Sequence, residues 1–226
     1  DGPMKKLRLQ SQYRIQHFQM LGFEYADELD VRIDGDNLKE LLVTVEGAKK
    51  GRSLLTGSID VHFKKELWFD GEFSSDAARA NNLMSIFFDP LDVDAFTTGT
   101  VRVRGFASDL HIDADMDLTD VKLWGEPFDT GHFRLVQDRR HLTIEEFVVE
   151  RNDGLGSAMM RGTRKDGNNN FEVLVGGLPI EYLSWIIDGK IPVRGKLDFL
   201  GTIQGDGFLP NGSLHIRDLW HGKHKL

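Results

Sequence analysis

The chain contains no cysteine. That excludes disulfides, thiolate metal sites and a cysteine nucleophile. It also lacks any run of about 18 apolar residues, so no segment is suited to cross a bilayer as a helix. Positive charge is in deficit: 28 Lys and Arg stand against 36 Asp and Glu, a formal net charge of −8. Holding nucleic acid non-specifically by its phosphates requires the opposite balance, as does charge-driven docking on an anionic membrane surface. Proline is scarce, at 6 residues, while glycine is frequent, at 24. Glycine without proline suits tight turns between strands. No secretion signal is visible at the start. No Gly-x-Ser-x-Gly nucleophile context is present either.

What is present is alternation. From Asp109 to Leu118, Leu110, Ile112, Ala114, Met116 and Leu118 share one parity. His111, Asp113, Asp115 and Asp117 share the other. A period of two marks a strand with one apolar face and one wet face. Ile59, Val61 and Phe63 repeat the pattern against Asp60 and His62, and Phe171, Val173 and Val175 repeat it again. Asp-Gly pairs recur at 34–35, 70–71, 153–154, 166–167, 188–189 and 206–207, with Asn211-Gly212 beside them. Such pairs favour hairpin turns. Regular turn signals with few helical windows predict an antiparallel, mainly β architecture.

The strands also repeat at long range. Gly99-Thr-Val-Arg-Val-Arg-Gly105 matches Gly195-Lys-Leu-Asp-Phe-Leu-Gly201, and Val101 and Val103 correspond to Leu197 and Phe199. Each copy is followed by an alternating strand ending in Leu-Trp, at Trp124 and at Trp220; in the second, Leu214 and Ile216 carry the apolar face. Upstream, Ser53 to Gly57 is echoed by Ala158 to Gly162. Between these pieces, Ala77 to Phe88 and Ile180 to Ile187 change to a helical period. Ser75 or Asp76 is placed to cap the first helix, and Pro179 stands at the first turn of the second. The expected unit is three strands, a short helix and two strands, once over about 41–125 and again over about 142–222. No composition break separates the copies, so one continuous domain over 1–226 is expected. Asp1 to Met4 reads as a cloning remnant, and the whole as a fragment of a longer protein.

Several polar groupings invite chemistry. His111, Asp113, Asp115, Asp117 and Asp120 could offer oxygen ligands to a cation, but the EF-hand spacing fails at Leu118 and Trp124. A solvated outer face is the simpler reading. His221 and His224 lack a third ligand nearby. Glu145, Glu146 and Glu150 could pair as glycosidase carboxylates, and Gly154 to Gly156 reads as a turn rather than a phosphate cradle. Trp68, Trp124, Trp185 and Trp220 could stack on sugars, although the repeat-related pair points to a structural role. Neither an enzyme, a metal site nor a cofactor is expected.

The order of these pieces, ending Pro192-Val-Arg-Gly-Lys-Leu-Asp-Phe-Leu-Gly201 and Asn211-Gly-Ser-Leu-His-Ile-Arg-Asp-Leu219, resembles the AsmA-like and TamB family of Gram-negative envelope proteins over roughly 41–226. The resemblance implies a periplasmic segment of a protein anchored in the inner membrane outside this stretch. It implies a curved antiparallel sheet rolled into an open, taco-like groove, with short helices capping its rim. The implied function is carriage of phospholipid acyl chains between the two membranes. A structural or chaperone-like role in outer-membrane protein assembly, with a TamA-like barrel partner engaged elsewhere, is the alternative. Under the first reading, Ile59, Val61, Phe63, Val101, Val103, Leu110, Ile112, Met116, Leu118, Phe171, Val173, Val175, Leu197, Phe199, Leu214 and Ile216 line the groove. Periodicity alone leaves a closed β-sandwich open, with a carbohydrate-binding sandwich as a further alternative.

Overall fold

In the computed structural model, residues 8–20, 23–37, 40–50, 53–63, 65–80, 93–123, 126–139, 141–152, 154, 156–180, 193–207 and 210–225 are described. They form fourteen strands: β1 (Leu9–Met20), β2 (Phe23–Asn37), β3 (Glu40–Lys50), β4 (Ser53–Phe63), β5 (Leu67–Arg79), β6 (Val93–Phe106) and β7 (Asp109–Leu123). The series continues with β8 (Glu126–Asp138), β9 (His141–Glu150), β10 (Ser157–Lys165), β11 (Asn168–Pro179), β12 (Val193–Gly205), β13 (Pro210–His221) and β14 (His224–Lys225). The order in space is the order in sequence, β1 through β14, in one antiparallel sheet. The sheet is curved, and β1 does not pair with β14, so it stays open. The closed sandwich is therefore not the fold: the described strands form a single layer. Curling gives that layer a way to hide its apolar face without a second sheet.

Strict alternation sets the register, because a slip of one residue would turn every apolar side chain to water. Tyr13, Val31, Val45, Gly57, Phe73, Val101, Ala114, Leu135, Ile144, Gly162, Phe171, Ile203 and Pro210 stand directly opposite one another, strand by strand, from β1 to β13. This unbroken row carries no charged residue. Its deepest part lies in the middle of the sheet, where Met116, Leu118, Phe133, Leu135, Val149 and Phe171 pack into one core. A smaller cluster around Leu29 and Val31 serves β1–β3.

Bulges mark the internal duplication more sharply than the glycine phrases do. Pairing of β5 with β6 slips between Ser75 and Ala78, and pairing of β11 with β12 slips between Val175 and Leu178. At each slip one residue has a left-handed backbone, Ala77 at φ 50° and Gly177 at φ 64°. Each of these also has its N–H capped by a side chain on the next strand. The Ala77 N–H donates to Thr98 Oγ1 at 3.3 Å, and the Gly177 N–H donates to Asp198 Oδ1 at 2.9 Å. All of these partners lie 100 residues apart in sequence, as do Val93 and Val193, which open β6 and β12. The matched glycine phrases are 96 residues apart. They are therefore four residues out of step with the backbone, and Gly99 is the structural counterpart of Phe199. Trp124 lies outside the described residues, so its match to Trp220 has no structural counterpart here.

Other expectations change. Residues 77–79 continue β5 instead of opening a helix, and the rest of the 77–88 segment, beyond Ala80, lies outside the described residues. The Ser75 hydroxyl caps no helix; it donates to the Thr97 carbonyl at 2.8 Å. Pro179 ends β11, and 181–187 lies outside the described residues. Among the Asp-Gly pairs, Asp166-Gly167 forms the two-residue hairpin turn, with φ of 50° and 85°. Asp34-Gly35, Asp70-Gly71 and Asn211-Gly212 lie inside strands. At Gly71 and Gly212 the opposite backbone is so close that a Cβ would fall 2.6 Å from Ser58 O and 2.2 Å from Leu200 O. There, close approach rather than a turn requires glycine. Asp153 and 188–189 lie outside the described residues.

Candidate functional site

All sixteen groove candidates lie on the same face of the sheet. Val61 faces Phe69, and Phe69 faces Gly105, which faces Leu110; Val103 joins Gly71 to Ile112. Val101 faces Ala114, and Gly99 and Thr97 face Met116 and Leu118. Across the later strands, Val173 and Val175 lead through Gly201 and Phe199 to Gly212 and Leu214, and Leu197 faces Ile216.

They divide by exposure. Met116, Leu118 and Phe171 are fully buried, so they are core and present no surface to a ligand. Ile59, Val61, Val101, Val103, Leu110, Ile112, Val173, Val175, Leu197 and Phe199 are half-buried. Phe63, Leu214 and Ile216 are exposed, at 46%, 56% and 46%. The apolar face is thus packed dry in the middle of the sheet. It becomes accessible towards β4–β7 near the hairpins at 63–67 and 106–109, and again at β12–β13. Along β7 the change is graded, from half-buried Leu110 and Ile112 to buried Ala114, Met116 and Leu118.

Residues that the sequence reading passed over also build this face. Phe133 and Leu135 of β8 pair with Phe147 and Ile144 of β9, in the centre. Their pattern is interrupted because Glu145 is an extra residue in a bulge: Arg134 pairs with Glu146 while Leu135 pairs with Ile144. Glu145 and Glu146 are consequently both on the outer face, with Glu145 in an ion pair to Arg134 at 3.1 Å. This carboxylate pair reflects a register slip and does not face the groove.

The outer face is charged and cross-linked. Arg102 bonds Glu72 at 2.6 Å, Arg161 bonds Glu172 at 2.8 Å, and His111 bonds Asp138 at 2.5 Å. His132 sits between Asp117 at 3.1 Å and Asp115 at 3.6 Å. Asp115 and Asp117 of the β7 run are thus both engaged by His132 across the strands. Among the described residues, no group of three or more His, Asp or Glu is placed to hold a metal ion. His221 and His224 are opposite one another at the exposed β13–β14 turn. Exposed pairs of this kind contribute little stability but keep the convex face wet. Hydrogen bonds from Arg217, and then from the Gly177 N–H, hold the Asp198 carboxyl below its ordinary range.

Two polar groups do reach the inner side near the 123–126 and 150–157 connections. Arg151 is buried, lies 3.4 Å from Glu126 and stacks over the Phe128 ring at 5.2 Å. Burial pushes the Glu126 carboxyl up despite that arginine. Between β9 and β10 the Arg151 N–H donates to Gly156 O at 3.1 Å and the Gly154 N–H to Arg151 O at 3.0 Å. Trp68 packs edge-on against Phe106, with centroids 4.9 Å apart, which is a structural use of that ring. Trp185 lies outside the described residues.

The fold and its lining define the chain as an open, single-layer β-trough with an apolar inside and a charged outside. No protein-family model, no curated protein and no solved structure matches this chain.

Proposed function

We propose that this chain is a groove segment of an AsmA/TamB-like envelope protein, periplasmic and anchored at the inner membrane by a part outside this stretch, and that its apolar face carries acyl chains of phospholipids between the membranes. One observation carries the reading. A single apolar row crosses thirteen strands, yet its flanks remain open among the described residues. Burying a methylene is worth about 0.8 kcal/mol, so an acyl chain of about 16 carbons gains on the order of 10 kcal/mol along such a face. The gain needs no polar chemistry and falls on the accessible flanks, at β4–β7 and at β12–β13, where the face is not already packed by protein.

The test is lipid extraction and mass spectrometry of the purified protein, with Val103→Asp and Phe199→Asp. Both positions are half-buried on the accessible flanks. Wild type carries phospholipid; both variants lose it and keep their β-sheet circular dichroism. Absence of lipid from wild type, with unfolding of both variants, would instead mean a closed core.

A second reading has its own observation. β14 pairs only with Trp220 and His221, so the outer edge of β13 from Pro210 to Leu219 has no partner strand among the described residues. Such an edge can take a client strand by backbone pairing. Cross-linking of β13 to nascent outer-membrane protein strands in lipid-free protein would favour this chaperone-like role.

A further inference from the structure

β7 and β13 are laid out alike. The β6–β7 pairing slips between Asp94 and Phe96, and the β12–β13 pairing slips between Arg194 and Lys196. Within each bulge stands an aspartate with a left-handed backbone, Asp120 at φ 51° and Asp218 at φ 50°. Beyond it, Leu123 faces Glu126 at the start of β8, and His221 faces His224 at the start of β14. Each of these β13 and β14 residues lies 98 positions after its counterpart in β7 and β8. The step is the same before the slip: Met116 and Leu118 face Gly99 and Thr97, as Leu214 and Ile216 face Phe199 and Leu197.

The two strands differ in what lies beside them. β7 is flanked by the whole of β8, where Phe133 faces Met116, Gly131 faces Leu118 and Leu135 faces Ala114. Met116 and Leu118 are each 1% exposed. β13 is flanked by the two residues of β14, which pair with Trp220 and His221 and are held there by Lys225 Nζ donating to Asp218 Oδ1 at 3.0 Å. From Pro210 to Leu219 its outer edge has no partner strand among the described residues, and Leu214 and Ile216 are 56% and 46% exposed. Backbone, parity and inner neighbour match at these positions, so the difference in burial follows from the neighbouring strand. The backbone N–H and C=O groups along such an edge are a template for further pairing.

We infer that the outer edge of β13 accepts one further antiparallel strand patterned like β8, seated opposite Pro210–Leu219 in the register that β8 takes on β7. Residues in the places of Phe133, Leu135 and Gly131 then face Leu214, Gly212 and Ile216 on the inner side. Those in the places of Arg134 and His132 face Ser213 and His215 on the outer side. The inference rests on the strand-pairing reading of this edge given above, and adds the pattern, polarity and register of the strand. Strand pairing satisfies the backbone groups of the edge and covers Leu214 and Ile216 at once. An acyl chain covers the side chains alone, which favours a strand as the occupant.

The test uses the purified chain stripped of lipid and a synthetic peptide with the sequence of residues 126–138, carrying a photo-crosslinking analogue in place of Phe133. Fluorescence anisotropy reads affinity, and mass spectrometry reads the crosslinked residue. The expected crosslink is at Leu214. Leu214→Asp and Ile216→Asp each weaken binding by about fivefold, the scale of one apolar cross-strand pair. A peptide with Phe133 and Arg134 exchanged is weaker by about the same factor. Circular dichroism checks that the variants keep their sheet; should either not fold, the crosslink position and the exchanged peptide carry the comparison. Equal binding of the two peptides, or crosslinks scattered along β13, overturns the pattern and register and leaves β13 an edge that takes strands. A crosslink at Met116 means that the peptide has displaced β8, and a dimer of the chain that excludes the peptide gives the edge to a second copy; either overturns the assignment. Binding of neither peptide overturns it too, and if nascent outer-membrane strands also fail to crosslink, the strand-pairing reading goes with it.

Discussion

Replacing Phe171 by alanine tests whether the middle of this single sheet is a true dry core. Phe171 is fully buried, faces Gly162 on one side and Ile203 on the other, and belongs to the central cluster. A phenylalanine buries on the order of 170 Å². At about 25 cal/mol per Å² its transfer is worth about 4 kcal/mol. Gly162 cannot fill the gap, having no side chain, so the cavity persists and the loss falls at about 3–5 kcal/mol. For a chain of this size that lowers the midpoint of thermal unfolding by roughly 6–20 °C. Leu214→Ala is the matched control on the same face. It is 56% exposed, so less than half of a leucine's burial, about 1 kcal/mol, is at stake. Urea unfolding followed by far-ultraviolet circular dichroism measures both, and similar m-values would show that both unfold from the same state. Equal destabilisation by the two substitutions would refute the division of the apolar face into a packed centre and open flanks.

Three further outcomes follow from the bulges and the pairs around them. Ala77→Gly relieves a left-handed backbone and stabilises by about 1 kcal/mol, whereas Gly177→Ala costs about 1 kcal/mol. A Cβ at Gly177 meets nothing within 4 Å, so that cost is conformational alone; calorimetry of both variants reads it, and the same sign for both would sink the equivalence of the two bulges. Gly162→Val is more severe, because a Cβ there lies 2.2 Å from Asn170 O and 2.7 Å from Phe171 Cα at φ 142°; expect a loss of β-sheet signal or a midpoint lower than that of Gly177→Ala. For Asp198, whose folded pKa is lowered by Arg217 and Gly177, the stabilising contribution is fully present above the unfolded value of about 3.9 and is lost as pH falls through the lower folded value. The stability gap between wild type and Asp198→Asn is thus constant from neutral pH down to about pH 4 and closes below it. A gap that widens on acidification contradicts the pairing.

Much of this architecture was legible because a period of two has one consequence. Leu110, Ile112, Ala114, Met116 and Leu118 must share a face whatever the tertiary structure, since successive side chains of a strand alternate. The groove candidates accordingly lie on one side. Reading failed where backbone geometry departs from strict alternation. The bulge at Glu145 made two outward carboxylates resemble a pair with chemistry. The bulges at Ala77 and Gly177 lie four residues out of step with the glycine phrases that suggested the repeat. Asp70-Gly71 and Asn211-Gly212 look like turns, but those glycines answer to a neighbouring strand's backbone, which a local pattern does not contain.

The sequence by itself determined the all-antiparallel character, the one-sided apolar strands and the wet aspartate face of β7. Only the tertiary structure decided that fourteen strands form a single open layer, because alternation is satisfied equally by a sheet that faces another and by one that curls on itself. Only the structure separated Met116, Leu118 and Phe171, buried in the centre, from Phe63, Leu214 and Ile216, left open at the flanks. Exposure depends on the curvature of the sheet and on the distance of each strand from its edges, and neither is written in the parity of a residue.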